Sequence, residues 1–494
     1  MKTRASTWGG MVFFAGSCAL AETPNVEGIF PAGGQRGTEF EVSVTGKFEP
    51  WPLQARCDDP RIVFSPSEKD KGKFRVTIGQ EVEPGASLVR FFNREGATVP
   101  RQFVVGALPE RTQVGADTMA IPLGDFPLTV NGKLAEGGEV DRFSFDLQEG
   151  QVLVAAVTAY ALDSPLDPLL HMRGLRGEQL AFNHDANRLG LDPRLVFKAP
   201  AAGKYELHLS AFVHPPKADI RFAGSEKSIY RMSLGHDPPV IELPPPHEAA
   251  GEDAQRVEIP AVVSGTIDPP GDIDRYLFSA QKDEKLHLEI AAAKLGSWMD
   301  PVLVIKDAAG KELKREDDSD AKPRHDVMLD WTAPAEGDFT AEITDLNGVG
   351  GNQMVYRFRV TKPVPVLEAT ASGGVYAIAR GKKLEIAVKV TRRYGFEGEL
   401  QVTAESLPPG VTAAPAAVSD KGEAKLTLEA TPDAAPANLP ISIWAGPKGA
   451  NDKRVPCRFE LKGAAATAGG LLINQTECGW LTVLEKEIEK EKQK

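Results

Sequence analysis

The sequence predicts an all-β protein, a tandem array of β-sandwich or jelly-roll and immunoglobulin-like domains. Three observations predict it. Of 494 residues, 47 are Gly and 38 are Pro, well above ordinary usage. Between these breakers run short alternating segments with a turn signal about every 8 to 12 residues, the pattern of sandwiches and jelly rolls. Finally, one long segment occurs twice. The chain is long enough for several cores, about three at roughly 150 residues each.

The chain opens with a targeting pattern. Lys2 and Arg4 precede the short apolar run "WGGMVFFAGSCALA", and Ala19-Leu20-Ala21 fits a small-residue cleavage site. Residues 1–21 therefore read as a signal peptide. The run is too short to span a bilayer comfortably. A minority reading makes "AGSC" a lipoprotein signal with Cys18 acylated. The expected location is exported: periplasmic, cell-surface or extracellular. Loss of Lys2 and Arg4 moves the formal charge from −12 to −14. No basic stripe is present, which argues against nucleic acid as a partner.

The repeat is the strongest signal. "NGKLAEGGEVDRFSFDLQEGQ" (131–151) aligns with "SGTIDPPGDIDRYLFSAQKDE" (264–284). Gly132 and Gly265 stand nine residues before Asp141 and Asp274. An Asp-Pro follows 26 residues on, at Asp167-Pro168 and Asp300-Pro301, and a further 18 residues lead to Asp185 and Asp318. The period of 133 residues is too long for a solenoid unit, so these are two whole domains. G-x(8)-D-R-[FY], D-P-x-L, "PAAGKY" or "PAEGDF", and a closing Tyr230 or Tyr356 resemble the bacterial pre-peptidase C-terminal domain. That resemblance covers 118–237 and 250–362. It implies a β-sandwich carried outside the catalytic unit of secreted peptidases and other exported proteins.

The flanks differ. "PNVEGIFPAGGQRGTEFEVSVTGKF" with the exit "RQFVVGALPE" is similar to IPT/TIG immunoglobulin-like domains, giving a domain at 22–110. Region 363–463, with its "LPPGV" turn, resembles an immunoglobulin-like module. Residues 238–249 lie in a Pro-rich linker expected to be semi-rigid. Residues 464–494, ending "LTVLEKEIEKEKQK", read as a charged, solvated tail. Cys57, Cys457 and Cys478 remain after cleavage. Export permits a Cys457–Cys478 disulfide, and unpaired thiols are the equal alternative.

No catalytic motif stands out. The chain lacks a G-x-S-x-G elbow and H-E-x-x-H, and its eight histidines are scattered. The expectation is a protein with no catalytic residues, although a triad dispersed in sequence is compatible with any such chain. The candidate metal site is an acidic turn in the second repeat, "REDDSDAKPRHD", with Glu316, Asp317, Asp318, Asp320 and Asp326. Calcium takes six to eight oxygen ligands, which such a cluster supplies. The matching stretch of the first repeat, "FNHDANRLGLD", offers Asp185 and Asp192 but puts Asn183 and His184 where Glu316 and Asp317 stand, a poorer set for calcium. The competing reading of both is a polar β-turn, and it is preferred. Asp141 and Asp274 read as caps of a turn before the first strand, and Asp167 and Asp300 as strand-entry turns. Trp331 reads as core, whereas Trp298, in a loop, is core or sugar-stacking with equal weight.

These readings converge on a non-catalytic binding or scaffold protein whose partner is an envelope component, a polysaccharide or a protein. The alternative is an accessory subunit or remnant of a secreted peptidase or hydrolase.

Overall fold

The computed structural model describes residues 23–113, 119–174, 176–185, 190–215, 221–235, 254–292, 295, 297, 299–317, 326–351, 354–463 and 470–485. It is all-β, a series of four two-sheet sandwiches. In the first, strands Asn25–Phe30, Glu39–Lys47, Lys73–Ile78 and Ile62–Pro66 form one sheet; Gly33–Gln35, Arg101–Gly106, Gly85–Asn93 and Gln54–Cys57 lead the other. Alternation puts Phe64, Phe74, Phe91 and Phe103 between them. Their rings meet edge to face at centroid distances of 5.1–6.4 Å, the arrangement the ring quadrupole favours.

The two repeats share one topology. In the first, Asp141–Leu147, Gly203–Val213, Leu166–Gly174 and Gln179–Asn183 form a sheet in that order, facing Leu128–Lys133, Ile229–Gly235, Val152–Thr158 and Arg194–Lys198. The second repeats it with Asp274–Ala280, Gly337–Asp345, Pro301–Asp307 and Glu312–Glu316 over Ala261–Thr266, Val355–Thr361, Lys285–Ala291 and Val327–Thr332. Trp331 is core, 4.9 Å from the Phe339 ring and 6.0 Å from that of Phe278. Trp298 lies outside the described residues.

The spacing Gly…Asp…Tyr that marks the repeat has a packing cause. Gly132 pairs with Tyr230 across the sheet, and a Cβ on Gly132 would lie 2.0 Å from Cζ of Tyr230. Gly265 and Tyr356 repeat the arrangement at 2.4 Å. Each tyrosine crosses the space its glycine leaves and donates from its hydroxyl to a buried carboxylate, Tyr230 to Asp141 and Tyr356 to Asp274, both at 2.5 Å. Asp141 and Asp274 are thus core acceptors on the first strand rather than caps of the turn before it. Burial holds both tyrosines well above their ordinary range and pushes the Asp274 carboxyl up to about 6.

The final sandwich corrects the reading of the chain's end. Gly479–Leu484 is no tail. It runs between Val375–Ala379, parallel, and Ala437–Pro447, antiparallel, and all six residues are buried. The domain therefore reaches past 463 to Leu484. The charged run beginning at Glu485 masked a six-residue apolar strand. Residues 486–494 lie outside the described part. Cys57, Cys457 and Cys478 are all free thiols, the first two buried.

Sandwiches one, two and four pack together. Phe30, Ala32 and Val104 meet Leu162, Ile229 and Leu472 in a small apolar cluster. Gln102 exchanges two hydrogen bonds with the main chain of Ile473, at 2.8 and 3.1 Å. Trp480 packs against Phe92 at 5.0 Å, and the Arg90 guanidinium lies 5.4 Å from its ring centroid. Residues 470–484 are therefore a structural element on two counts. Truncation after Cys478 should leave a chain whose last sandwich does not fold, read as loss of a cooperative unfolding transition. A solvated tail would be removed without effect.

Candidate functional site

The sheet of the first repeat that carries Leu166–Gly174 turns one face to solvent. Leu170 and Met172 alternate into the core, so His171, Arg173 and Asp167 point outward, as does every second residue of the neighbouring strands. Strand register then sets one row across the sheet: Phe182 opposite His171, His171 opposite His208, His208 opposite Arg142. Phe182 is 47% exposed and packs tilted against the His171 ring, with centroids 4.7 Å apart. His171 Nδ1 bonds Gln179, and His208 Nε2 bonds Glu206 at 2.9 Å. Burial lowers the His208 imidazole from its ordinary range. Four residues along the central strand, Phe212 is 38% exposed, with Phe222 5.7 Å away.

At the Phe212 end three acid–base side chains meet. His184 Nε2 lies 2.9 Å from Asp167 Oδ1, and Nδ1 lies 3.9 Å from Asp185 Oδ2. The Phe212 ring stands edge-on to the imidazole at 5.9 Å. Burial raises the Asp167 carboxyl, and the adjacent imidazole works against that rise. Asp167 is thus more than a strand-entry residue, and the stretch "FNHDANRLGLD" is more than a turn. Among the described residues, Asp167, His184 and Asp185 form the one group of three or more His, Cys, Asp or Glu that offers ligand atoms within 4.8 Å of one another.

The expected calcium ligands fall differently. Asp192 is 3% exposed, and both its oxygens are taken by main-chain amides: Oδ1 by Ala159 at 2.9 Å and Tyr160 at 2.8 Å, Oδ2 by Ala161 at 3.1 Å. Burial pushes this carboxyl up to about 7 against the pull of those amides. Asp326 does the same work in the second repeat, accepting from the Ala292 amide at 2.7 Å. Both aspartates tie the start of one strand to the loop after its neighbour, which corrects their assignment as metal ligands. Glu316 ends its strand in an ion pair with Lys314 at 3.1 Å, and Asp317 is exposed. Glu316, Asp317 and Asp326 do not converge as a ligand group. Asp318 and Asp320 lie outside the described residues.

The second repeat presents a different face at the same positions. Register puts Arg315, Val304, Glu342 and Arg275 where the first has Phe182, His171, His208 and Arg142. Glu342 pairs with Arg275 at 3.1 Å and with Lys306 at 2.6 Å. One repeat therefore exposes rings and imidazoles where the other closes its surface with ion pairs.

No family model matches the chain. A 74-residue stretch is 42% identical to a "Probable subtilase-type serine protease" of Deinococcus radiodurans, covering 15% of this chain and 10% of that protein. The chain thus spans about a tenth of this relative's length. Among solved structures, a pre-peptidase C-terminal domain of Bacillus anthracis collagenase is covered fully by 23% of this chain, at 13% identity and a TM-score of 0.19. A tetra-tandem repeat from the extending region of a large adhesion protein is covered fully by 94% of the chain, at 9% identity and a TM-score of 0.15. SGBP-B of the Bacteroides ovatus mixed-linkage glucan utilization locus, solved with a mixed-linkage heptasaccharide, is similar over 69% of this chain and 76% of its own, at 8% identity and a TM-score of 0.17. Likenesses this distant carry no argument about function. Among the described residues no helix is long and apolar enough to cross a membrane.

Proposed function

We propose that the protein is an exported, non-catalytic binding array, and that the outer face of its first repeat holds a polysaccharide. The observation that supports this is the contrast between the two repeats. Exposed apolar surface rimmed by polar groups marks ligand-binding grooves. Here Phe182 and Phe212 stand among imidazole, amide and carboxylate groups. Rings pack on the apolar faces of pyranoses, and the polar groups between them serve hydroxyls. Two strand spacings across and four residues along place the rings on the order of 15 Å apart, room for a few sugar units.

The test is co-sedimentation of the full chain with insoluble envelope polysaccharide. Phe182→Ala and Phe212→Ala should each weaken binding about tenfold or more, near 1.4 kcal/mol. An Arg315→Ala variant, at the matching position of the second repeat, should bind as the parent does. Equal binding by all three variants overturns the assignment of the face.

A second reading is favoured by the subtilase-type likeness: the chain accompanies a secreted peptidase as a non-catalytic partner. That reading expects a stable complex with an exported peptidase and no dependence on Phe182 or Phe212 for polysaccharide.

A further inference from the structure

We propose that Asp167, His184 and Asp185 form a binding site for one divalent d-block cation of the zinc or cobalt kind. The site lies on the proposed polysaccharide face, beside Phe212, and its test is separate from that reading. Asp167 lies near the start of strand Leu166–Gly174, and His184 and Asp185 directly follow strand Gln179–Asn183.

The donor chemistry selects the metal. Calcium wants many oxygens. One imidazole with two carboxylates suits zinc, cobalt or nickel, and zinc sites use His and Asp ligands at about 2.0–2.2 Å. The 2.9 Å contact between Nε2 and Asp167 is close to the separation of two ligands on one small cation. Binding there displaces the hydrogen shared by Nε2 and Asp167: any proton on Nε2 leaves to solvent, and the neutral imidazole keeps its proton on Nδ1. Asp185, half exposed, has room to turn its carboxylate toward the metal. A dication also relieves an otherwise costly arrangement. The Asp167 side chain is 14% exposed, and a buried carboxylate needs compensating charge.

The second repeat serves as an internal reference. There Asp300 is retained and Asp317 stands for His184. The imidazole belongs to the first repeat alone, so it is not a requirement of the shared fold. The bound cation would staple the end of the edge strand to its neighbour, beside Phe212.

Titration of the metal-stripped full chain with Co²⁺, followed by visible absorption, and with Zn²⁺, followed by calorimetry, tests the site. The expected result is one equivalent bound, a rise in the temperature of unfolding with Zn²⁺, and an affinity lowered at least about 100-fold in His184→Ala. Asp185→Asn, at an exposed position that leaves folding intact, should also weaken binding. His208→Ala, on the same face, should not. Absence of binding at millimolar metal, tighter binding of Ca²⁺ than of Zn²⁺, or binding unchanged in both His184→Ala and Asp185→Asn overturns the proposal. Polysaccharide co-sedimentation after stripping separates the two sites: loss of sugar binding in Phe182→Ala with metal binding intact would leave this site standing.

Discussion

Gly132→Ala should destabilise the first repeat by about 3 kcal/mol, the upper part of the range for overpacking. The new methyl would sit 2.0–2.5 Å from three atoms of Tyr230. Those atoms cannot move aside cheaply, because Tyr230 is fully buried and its hydroxyl is held by Asp141. Two controls sharpen the expectation. Gly203→Ala adds a methyl with nothing within 4 Å and should stay within about 0.5 kcal/mol of the parent. Tyr230→Leu should cost stability by itself, through a lost ring and a lost buried hydrogen bond, yet combine with Gly132→Ala at well below the sum. A coupling of about 1–3 kcal/mol between contacting residues is ordinary. Equilibrium denaturant unfolding measures all four corners of the cycle. Additive costs would mean that the glycine is there for another reason.

The second large effect lies where the first two sandwiches join. The Arg231 guanidinium grips the Glu110 carboxylate with two bonds, at 2.7 and 3.0 Å, and donates to Asn131 at 2.6 Å. The two side chains are 6% and 9% exposed. Gly33 and Gly106, from the first sandwich, make room: a Cβ on either would collide with Arg231 or Glu110. Glu110→Ala strands a buried cation and should cost about 3–5 kcal/mol, whereas replacing both partners with methionine should cost less, about 1–3 kcal/mol, because the buried Asn131 amide then loses its bonds to both. Thermal unfolding of the two variants decides it. Equal losses in the single and double variants would show that the pair contributes more than mutual neutralisation.

Much of this architecture was legible in the chain. The 133-residue period, the Asp-Arg-aromatic strand and the Gly-Pro punctuation foretold two like sandwiches flanked by two others. What was not legible follows from distance. Gly479–Leu484 pairs with strands that lie roughly 40 and 100 residues earlier, and its apolar run is followed at once by lysines and glutamates. Local composition therefore described the neighbour, not the strand. Asp141 and Tyr230 are similarly far apart, so the motif was visible while its hydrogen bond was not.

The candidate site shows the same limit at shorter range. His184 and Asp167 belong to one hairpin, and a register counted back from the turn at 174–178 would have set them close. A bulge between Met172 and Arg173 shifts that register and hides the answer, because a one-residue slip exchanges the faces of a strand. Comparing the repeats by sequence marked His184 as the variable residue. It did not show that its partner across the hairpin was Asp167. Asp192 and Asp326 looked like ligands because they are acidic and lie in polar stretches. Their burial against main-chain amides could be read only from the fold.

The central claim is binding without turnover through the first repeat, and one measurement addresses it directly. The purified full chain is incubated with envelope polysaccharide; bound protein and released fragments, reducing ends or peptides, are measured in the same tube. The account predicts saturable binding that Phe182→Ala and Phe212→Ala weaken, with no release above the protein-free control. Release that a single substitution abolishes would contradict it and make the chain an enzyme.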